Sequence, residues 1–166
     1  LNRVVGQLHE FARPITILKK PMNLRTLLEN SLKMIERQTF EANIKIQTRL
    51  DADIGDVLVD PDRINQVFLN LYLNAIESMK NGGSLKVWLL KNQETDGIEI
   101  RVRDTGTGIS PEDLTHIFDP YFTTKASGTG LGLAIVHNII EAHEGEIKVD
   151  SMLEEGTKIT ILLPYA

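Results

Sequence analysis

A chain of 166 residues has room for about one domain with a core of its own. Hydrophobic residues make up 42% and charged residues 25%, and the net charge of −5 argues against the basic face that sequence-independent nucleic-acid binding needs. The absence of cysteine excludes disulfides and thiolate metal sites and fits a reducing compartment, while no apolar run approaches the roughly 18 residues of a membrane span and none reads as a signal peptide.

The chain opens without Met and inside a helical pattern, as expected for a piece of a longer protein. Leu1, Val4, Val5, Leu8, Phe11 and Ala12 keep helical spacing until Pro14 stops the run. "ITILKKP" reads as a short strand or an extended linker. Asn23 is placed to cap a helix that carries Leu24, Leu27, Leu28, Leu32 and Ile35 and ends near Phe40. "NIKIQTRL" alternates as a strand does. Asp60 as N-cap and Pro61 at the first helical position open a helix that runs to Lys80 and closes at "NGG". The strands "SLKVWLLK" and "GIEIRVRD" follow, joined through "NQETDG". A glycine-rich irregular region spans Thr105 to Gly130. A helix from Leu131 to Ala142 and the strands "GEIKVDS" and "GTKITILLP" complete the chain. Helices and strands mix without strict βαβ alternation, which predicts an α/β (α+β) two-layer sandwich, helices packed on one face of a mixed β-sheet.

Three stretches carry chemistry. On the helix from Pro61 to Lys80, apolar side chains cover most of the circumference, and Arg63, Gln66, Asn70, Asn74 and Glu77 form one polar stripe. The stripe is either a solvated face or a site. Solvated faces favour Lys and Glu over Asn, and two Asn one turn apart set two carboxamide oxygens side by side, a donor set that suits a hard cation holding phosphates. In "GIEIRVRDTGTGI", period-two alternation puts Asp104 on the face of Ile98, Ile100 and Val102, where an ionised carboxylate needs hydrogen-bond donors. A purine amino group is one such donor, and Gly106 and Gly108 leave room for a flat ligand. The competing reading is a strand-end Asp turning with Thr105 and Gly106. "GTGLGLAI" places Gly128, Gly130 and Gly132 at a helix entry, which is either a site where backbone N–H groups donate to phosphate or an ordinary loop and cap. It is neither a dinucleotide fingerprint nor a Walker A loop. Between the glycine motifs, Phe118, Tyr121 and Phe122 of "FDPYFTTK" are suited to anchoring a loop and Lys125 to meeting a phosphate.

Asn70 and Asn74, "DTGTGI", "FDPYFTTK" and "GTGLG", in this order and spacing, resemble the N, G1, F and G2 boxes of sensor histidine kinases, within the ATPase superfamily of gyrase, Hsp90 and MutL. The resemblance covers residues 23 to 164. "DPDRINQVFLNLYLNAIES" and "PYFTTKASGTGLGLAIVHNII" look most like the nitrogen-regulation branch, whose response regulators often act at sigma-54 promoters. It implies a Bergerat-type ATP-binding fold, with ATP and Mg²⁺ as cofactors. Asn74, assisted by Asn70, would bind Mg²⁺; these two and Lys125 are the implied catalytic set. Asp104 would take the adenine amino group, with Gly106, Gly108 and Ile109 around it and Thr157 reaching the same end. Phe118, Phe122, Thr124, Lys125, Gly128, Thr129, Gly130, Leu131 and Gly132 would line the phosphate side. One position departs from the pattern: where many relatives carry a basic residue three after the second Asn, this chain has Glu77.

The pair His9-Glu10 with Pro14 beyond it suggests a phosphoacceptor box. In the family, however, about fifty residues of hairpin separate that box from the nucleotide domain, and here eight residues separate Pro14 from Asn23. "LNRVVGQLHEFARPI" instead looks like the end of the second hairpin helix. The implied organisation is hairpin end at 1–14, linker or short strand at 15–22 and ATP-binding catalytic domain at 23–166, with His9 an ordinary helix residue and the acceptor upstream. The partners implied are that upstream helix and a response regulator, in a homodimeric full-length protein with no nucleic-acid partner. The domain itself is expected in the cytoplasm, with a membrane anchor an option elsewhere in the protein. A mobile lid is expected from Ile109 to Gly128. Hydrolytic relatives use a Glu one turn before the metal Asn, where this chain has Asn70, so slow hydrolysis is expected. A hydrolytic ATPase and a non-enzymatic nucleotide sensor are the rival readings.

Overall fold

The computed structural model describes residues 2–126 and 128–165. Leu1, Ser127 and Ala166, which fall within the expected helix, lid and domain, lie outside the described residues. In chain order the elements are α1 (Asn2–Ala12), β1 (Lys20–Asn23), α2 (Leu24–Glu41), β2 (Ile44–Leu50), β3 (Asp56–Val59), α3 (Pro61–Ser78), β4 (Gly83–Asn92), β5 (Gly97–Asp104), α4 (Pro111–Leu114), α5 (Gly132–Ala142), β6 (Glu146–Met152) and β7 (Gly156–Pro164).

β2, β4, β5, β7 and β6 form a five-stranded sheet in that order. β2 runs parallel to β4, and the remaining neighbours are antiparallel, so the sheet is mixed as expected. Alternation decides its faces. Leu85, Val87 and Leu89 of β4, Ile98, Ile100 and Val102 of β5, and Ile159, Ile161 and Leu163 of β7 are buried against the helices. The intervening residues Lys86, Arg101, Arg103 and Lys158 lie toward solvent on the other face. From the helical layer, α2 contributes Leu24, Leu28, Leu32 and Ile35, α3 contributes Ile64, Val67, Phe68, Leu71 and Tyr72, and α5 contributes Ile135, Val136, Ile139 and Ile140 to one continuous core. At ~25 cal/mol per Å² of apolar surface, this burial is the main force holding helices to sheet.

Local signals fix the helix entries. Asn23 Oδ1 accepts from the Thr26 amide at 3.0 Å and starts α2. Asp60 Oδ1 accepts from the amides of Asp62 at 3.1 Å and Arg63 at 3.2 Å, with Pro61 in the first turn of α3. Three expectations change. Of "ITILKKP", read as a short strand or an extended linker, Lys20 and Pro21 fall in β1, which pairs antiparallel with β3, a strand the sequence had hidden inside the approach to α3. The irregular region holds a short helix, α4, capped by Ser110 Oγ. α3 ends at Ser78, two residues before Lys80, because Met79 leaves helical geometry (φ −107°, ψ 57°).

Candidate functional site

α3 runs beneath the end of β5, and the site assembles along its length. At the C-terminal end, Asp104 is 7% exposed, as the alternation of β5 requires. Its Oδ1 accepts from the Gly106 amide at 2.9 Å, Ser78 Oγ at 3.3 Å and the Thr157 amide at 3.3 Å. Burial pushes the carboxyl above the usual carboxylate range, and the Gly106, Ser78 and Thr157 donors and the nearby Lys125 charge offset this only in part. Because all three bonds converge on Oδ1, Oδ2 keeps the capacity to accept from a ligand.

Gly106 and Gly108 serve close packing here. A Cβ on Gly106 would overlap Ser78, and one on Gly108, where φ is +71°, would overlap the Met152 carbonyl. Their small size lets the loop lie against α3 and β6. Beside them the Ile109 amide donates to Ser151 Oγ at 2.8 Å, which shares a 2.8 Å hydrogen bond with Thr157 Oγ1. Thr157 pairs with Asp104 across the β5–β7 ladder, so it does stand at this end of the site.

Asn74 and Asn70 follow toward the middle of α3, both half-buried on the polar stripe. Opposite Asn70 lies the start of α5: a Cβ on Gly132 would come within 3.9 Å of Asn70 Oδ1. Leu131 occupies the N-cap of α5 and supplies no side-chain acceptor. The Leu131 amide itself donates to Thr129 Oγ1 at 3.3 Å, and a helix start without a side-chain cap is suited to an anion. Buried carboxylate, paired carboxamides and a glycine-rich helix start without a side-chain cap are thus strung along one helix face. This donor set fits a magnesium nucleotide, since Mg²⁺ takes few protein oxygens and otherwise keeps water and phosphate.

The segment between the glycine motifs closes on itself. The Tyr121 amide donates to the Gly130 carbonyl at 2.9 Å, the Lys125 amide to Thr123 Oγ1 at 3.0 Å and the Gly128 amide to the Lys125 carbonyl at 3.2 Å. Gly130 has φ +70° and packs against the Tyr121 and Phe122 backbone, a position no other residue fits without strain. Phe118 packs on His137 with ring centroids 5.4 Å apart, and Phe122 packs on His116 at 5.8 Å. Thr124 is exposed beside them. Lys125 Nζ lies 2.6 Å from Glu77 Oε2. Thr129 touches Gln7 of α1 through their side chains, and Tyr121 meets Phe11 edge to face at 6.3 Å. His9 is exposed on α1. A separate cavity of about 180 Å³, lined by Arg13, Ile15, Arg63 and Asn138 among others, lies at the opposite end of α3 from Asp104.

Residues 59–166 match the family model described as histidine kinase-, DNA gyrase B- and HSP90-like ATPase. The chain belongs to this ATPase family. Within it, this histidine kinase-like ATPase chain is 33% identical to the catalytic domain of histidine kinase ThkA, covering 89% of itself and 96% of that chain with a TM-score of 0.79. Full-length ShkA in complex with AMPPNP superposes with a TM-score of 0.88 at 25% identity, over 99% of this chain and 35% of that one. Sensor histidine kinase ZraS of Salmonella typhimurium is 44% identical over 164 residues, 99% of this chain and 35% of ZraS. AtoS, a signal transduction histidine-protein kinase of Escherichia coli, is 35% identical over 99% of this chain and 27% of AtoS. The chain thus spans about a third of the length of such relatives, and it is the ATP-binding catalytic domain of the sensor kinase type. Among its described residues no helix is long and apolar enough to cross a membrane.

Sequence reasoning missed Ser78 and Ser151. Ser78 stands four residues after Asn74 on the same stripe, a spacing that could have flagged it. Ser151 reaches Ile109 only through the β6–β7 hairpin, which no local pattern announces.

Proposed function

We propose that the chain binds Mg-ATP along α3 and passes the γ-phosphoryl group to a histidine supplied by a hairpin helix outside it, for relay to a response-regulator aspartate. The observation that carries this reading is Asp104: a buried carboxylate with one oxygen saturated by Ser78, Gly106 and Thr157 and the other available. It accepts the adenine amino group, with Gly106, Gly108, Ile109 and Thr157 shaping that end. Asn74 and Asn70 supply carboxamide oxygens to Mg²⁺, which when bound neutralises charge on the phosphates. Thr124, Lys125 and the chain from Gly128 through Thr129, Gly130 and Leu131 to Gly132 hold the phosphates, and Phe118 and Phe122 anchor the lid that covers them.

Transfer to histidine is favoured over hydrolysis because the residue one turn before Asn74 is Asn70, which cannot take a proton from water as a Glu would. Residues 1–14 act as the end of the hairpin, 15–22 as its linker and 23–166 as the catalytic domain, working in the cytoplasm within a homodimer. The solved complex of histidine kinase ThkA with response regulator protein TrrA (TM-score 0.82, 29% identity) supports a response regulator as partner, and the resemblance to the nitrogen-regulation branch points to one of the sigma-54 activator type. The test is to mix the chain with a separately made acceptor hairpin and γ-labelled ATP. Acid-labile label on the hairpin histidine supports the reading. Stoichiometric label on His9, or free phosphate without labelled hairpin, contradicts it.

A further inference from the structure

Glu77 stands where the sequence departs from its family's pattern, and it faces the lid lysine. We propose that Glu77 is a positioning residue: it parks Lys125 in the nucleotide-free chain, and the phosphates of the nucleotide take over the lysine on binding. This rests on the nucleotide-site reading above.

Three observations carry it. Lys125 Nζ sits 2.6 Å from Glu77 Oε2, with both side chains 37% exposed. Glu77 lies seven residues after Asn70 on the same stripe, so at ~1.5 Å rise per residue its backbone is about 10 Å along α3 from that of Asn70, which Gly132 faces, and the Lys125 charge is felt at Asp104. The lysine is therefore held toward the Asp104 end and not at the uncapped start of α5. Finally, Lys125 sits in a turn closed by its own amide on Thr123 and by the Gly128 amide on its carbonyl, so its side chain is presented by a formed loop.

The physics favours exchange. An ion pair between groups more than a third exposed is weak, because water and salt screen it. A polyphosphate offers several anionic oxygens to the same ammonium. Glu77 thus keeps the lid over α3 without competing strongly once phosphate arrives, and it withholds the lysine from ligands that lack phosphate.

The experiment is calorimetric titration of the whole chain at low ionic strength with Mg-ATP and with adenosine, for the parent, Glu77→Gln, Lys125→Met and the double variant. Both side chains are part-exposed, so neither substitution disturbs the core. Glu77→Gln should tighten ATP about 1.5- to 5-fold, the range expected when a part-exposed pair is released, and leave adenosine unchanged. In the Lys125→Met background, Glu77→Gln should give no gain. Equal or weaker ATP binding by Glu77→Gln, or the same gain with Lys125 absent, overturns the proposal while leaving the nucleotide site standing. A parent chain that binds neither ligand overturns the nucleotide-site reading and this proposal with it.

Discussion

Asp104 concentrates the chemistry of the site in one carboxylate. Burial costs it solvation, and the donors Gly106, Ser78 and Thr157 restore part of that on a single oxygen. Asp104→Asn should weaken ATP binding by about 1.5–3 kcal/mol, roughly 10- to 150-fold, since an amide NH₂ then meets the adenine amino group. The same variant should melt no lower than the parent at neutral pH. The folded-state pKa is raised, so between the unfolded value near 3.8 and the folded value the native state binds more protons, and ionised Asp104 lowers stability as pH rises through that window. Removing the charge therefore raises Tm. Thermal melts at pH 7 check this, and a large fall in Tm would mean that the carboxylate is structural. At Asn74, substitution by Ala should reduce Mg²⁺-dependent ATP affinity and leave metal-free nucleotide binding nearly unchanged. Titrations with and without chelator read this directly. Asp104 was legible from alternation along β5 alone. The donors around it were less so, because Thr157 arrives from a strand more than fifty residues later.

Between elements, a buried polar junction ties the segment before β1 to α3 and α5. His143, 2% exposed at the end of α5, shares a 2.8 Å hydrogen bond with the Ile139 carbonyl through Nδ1, so Nδ1 must donate and Nε2 is free to accept from the Asp60 amide at 3.0 Å. Asp60 Oδ2 in turn accepts from the Leu18 amide at 2.9 Å. Burial holds His143 below its usual range; the nearby Lys19 charge adds to this, and the Ile139 bond and Asp60 oppose it. For a depressed folded pKa, stability is complete above the unfolded value near 6.5 and is lost as pH falls below it. Tm should therefore drop between pH 7.5 and 5.5, and His143→Gln should flatten that slope; an unchanged slope in the variant would assign it elsewhere. None of this was visible in sequence, where His143 is one polar residue after an apolar run. The bounds of β1 and the whole of β3 escaped for a related reason. Each has four residues, and Pro21 is tolerated in β1 only because a two-stranded ribbon is all edge. The caps Asn23 and Asp60, by contrast, act within three residues and could be read directly.

At the scale of the whole molecule, the sheet carries Asp104 and Thr157 on β5 and β7 while α3 carries Asn70 and Asn74 and α5 the glycine-rich start, so the proposed site depends on both layers packing in register. That explains why the family and layer order were legible: motifs spaced along the chain report a fold that brings them together. It also explains why the Glu77–Lys125 contact was not, because it joins α3 to a loop 48 residues away. The chain alone should hydrolyse ATP slowly. Asn70→Glu, which restores a base beside Asn74, should raise phosphate release by no more than the low end of the ~10²–10⁴-fold that a positioned base contributes, as a phosphate-release assay would show. The central claim, that this fold seats adenine on Asp104, is tested most directly by titrating the chain with Mg-ATP and Mg-GTP under identical conditions. GTP presents a carbonyl where ATP presents an amino donor, so ATP should bind at least about 10-fold more tightly, the cost of one lost hydrogen bond to a charged acceptor. Equal affinity for the two nucleotides would contradict it and leave Asp104 as a strand-end turn residue.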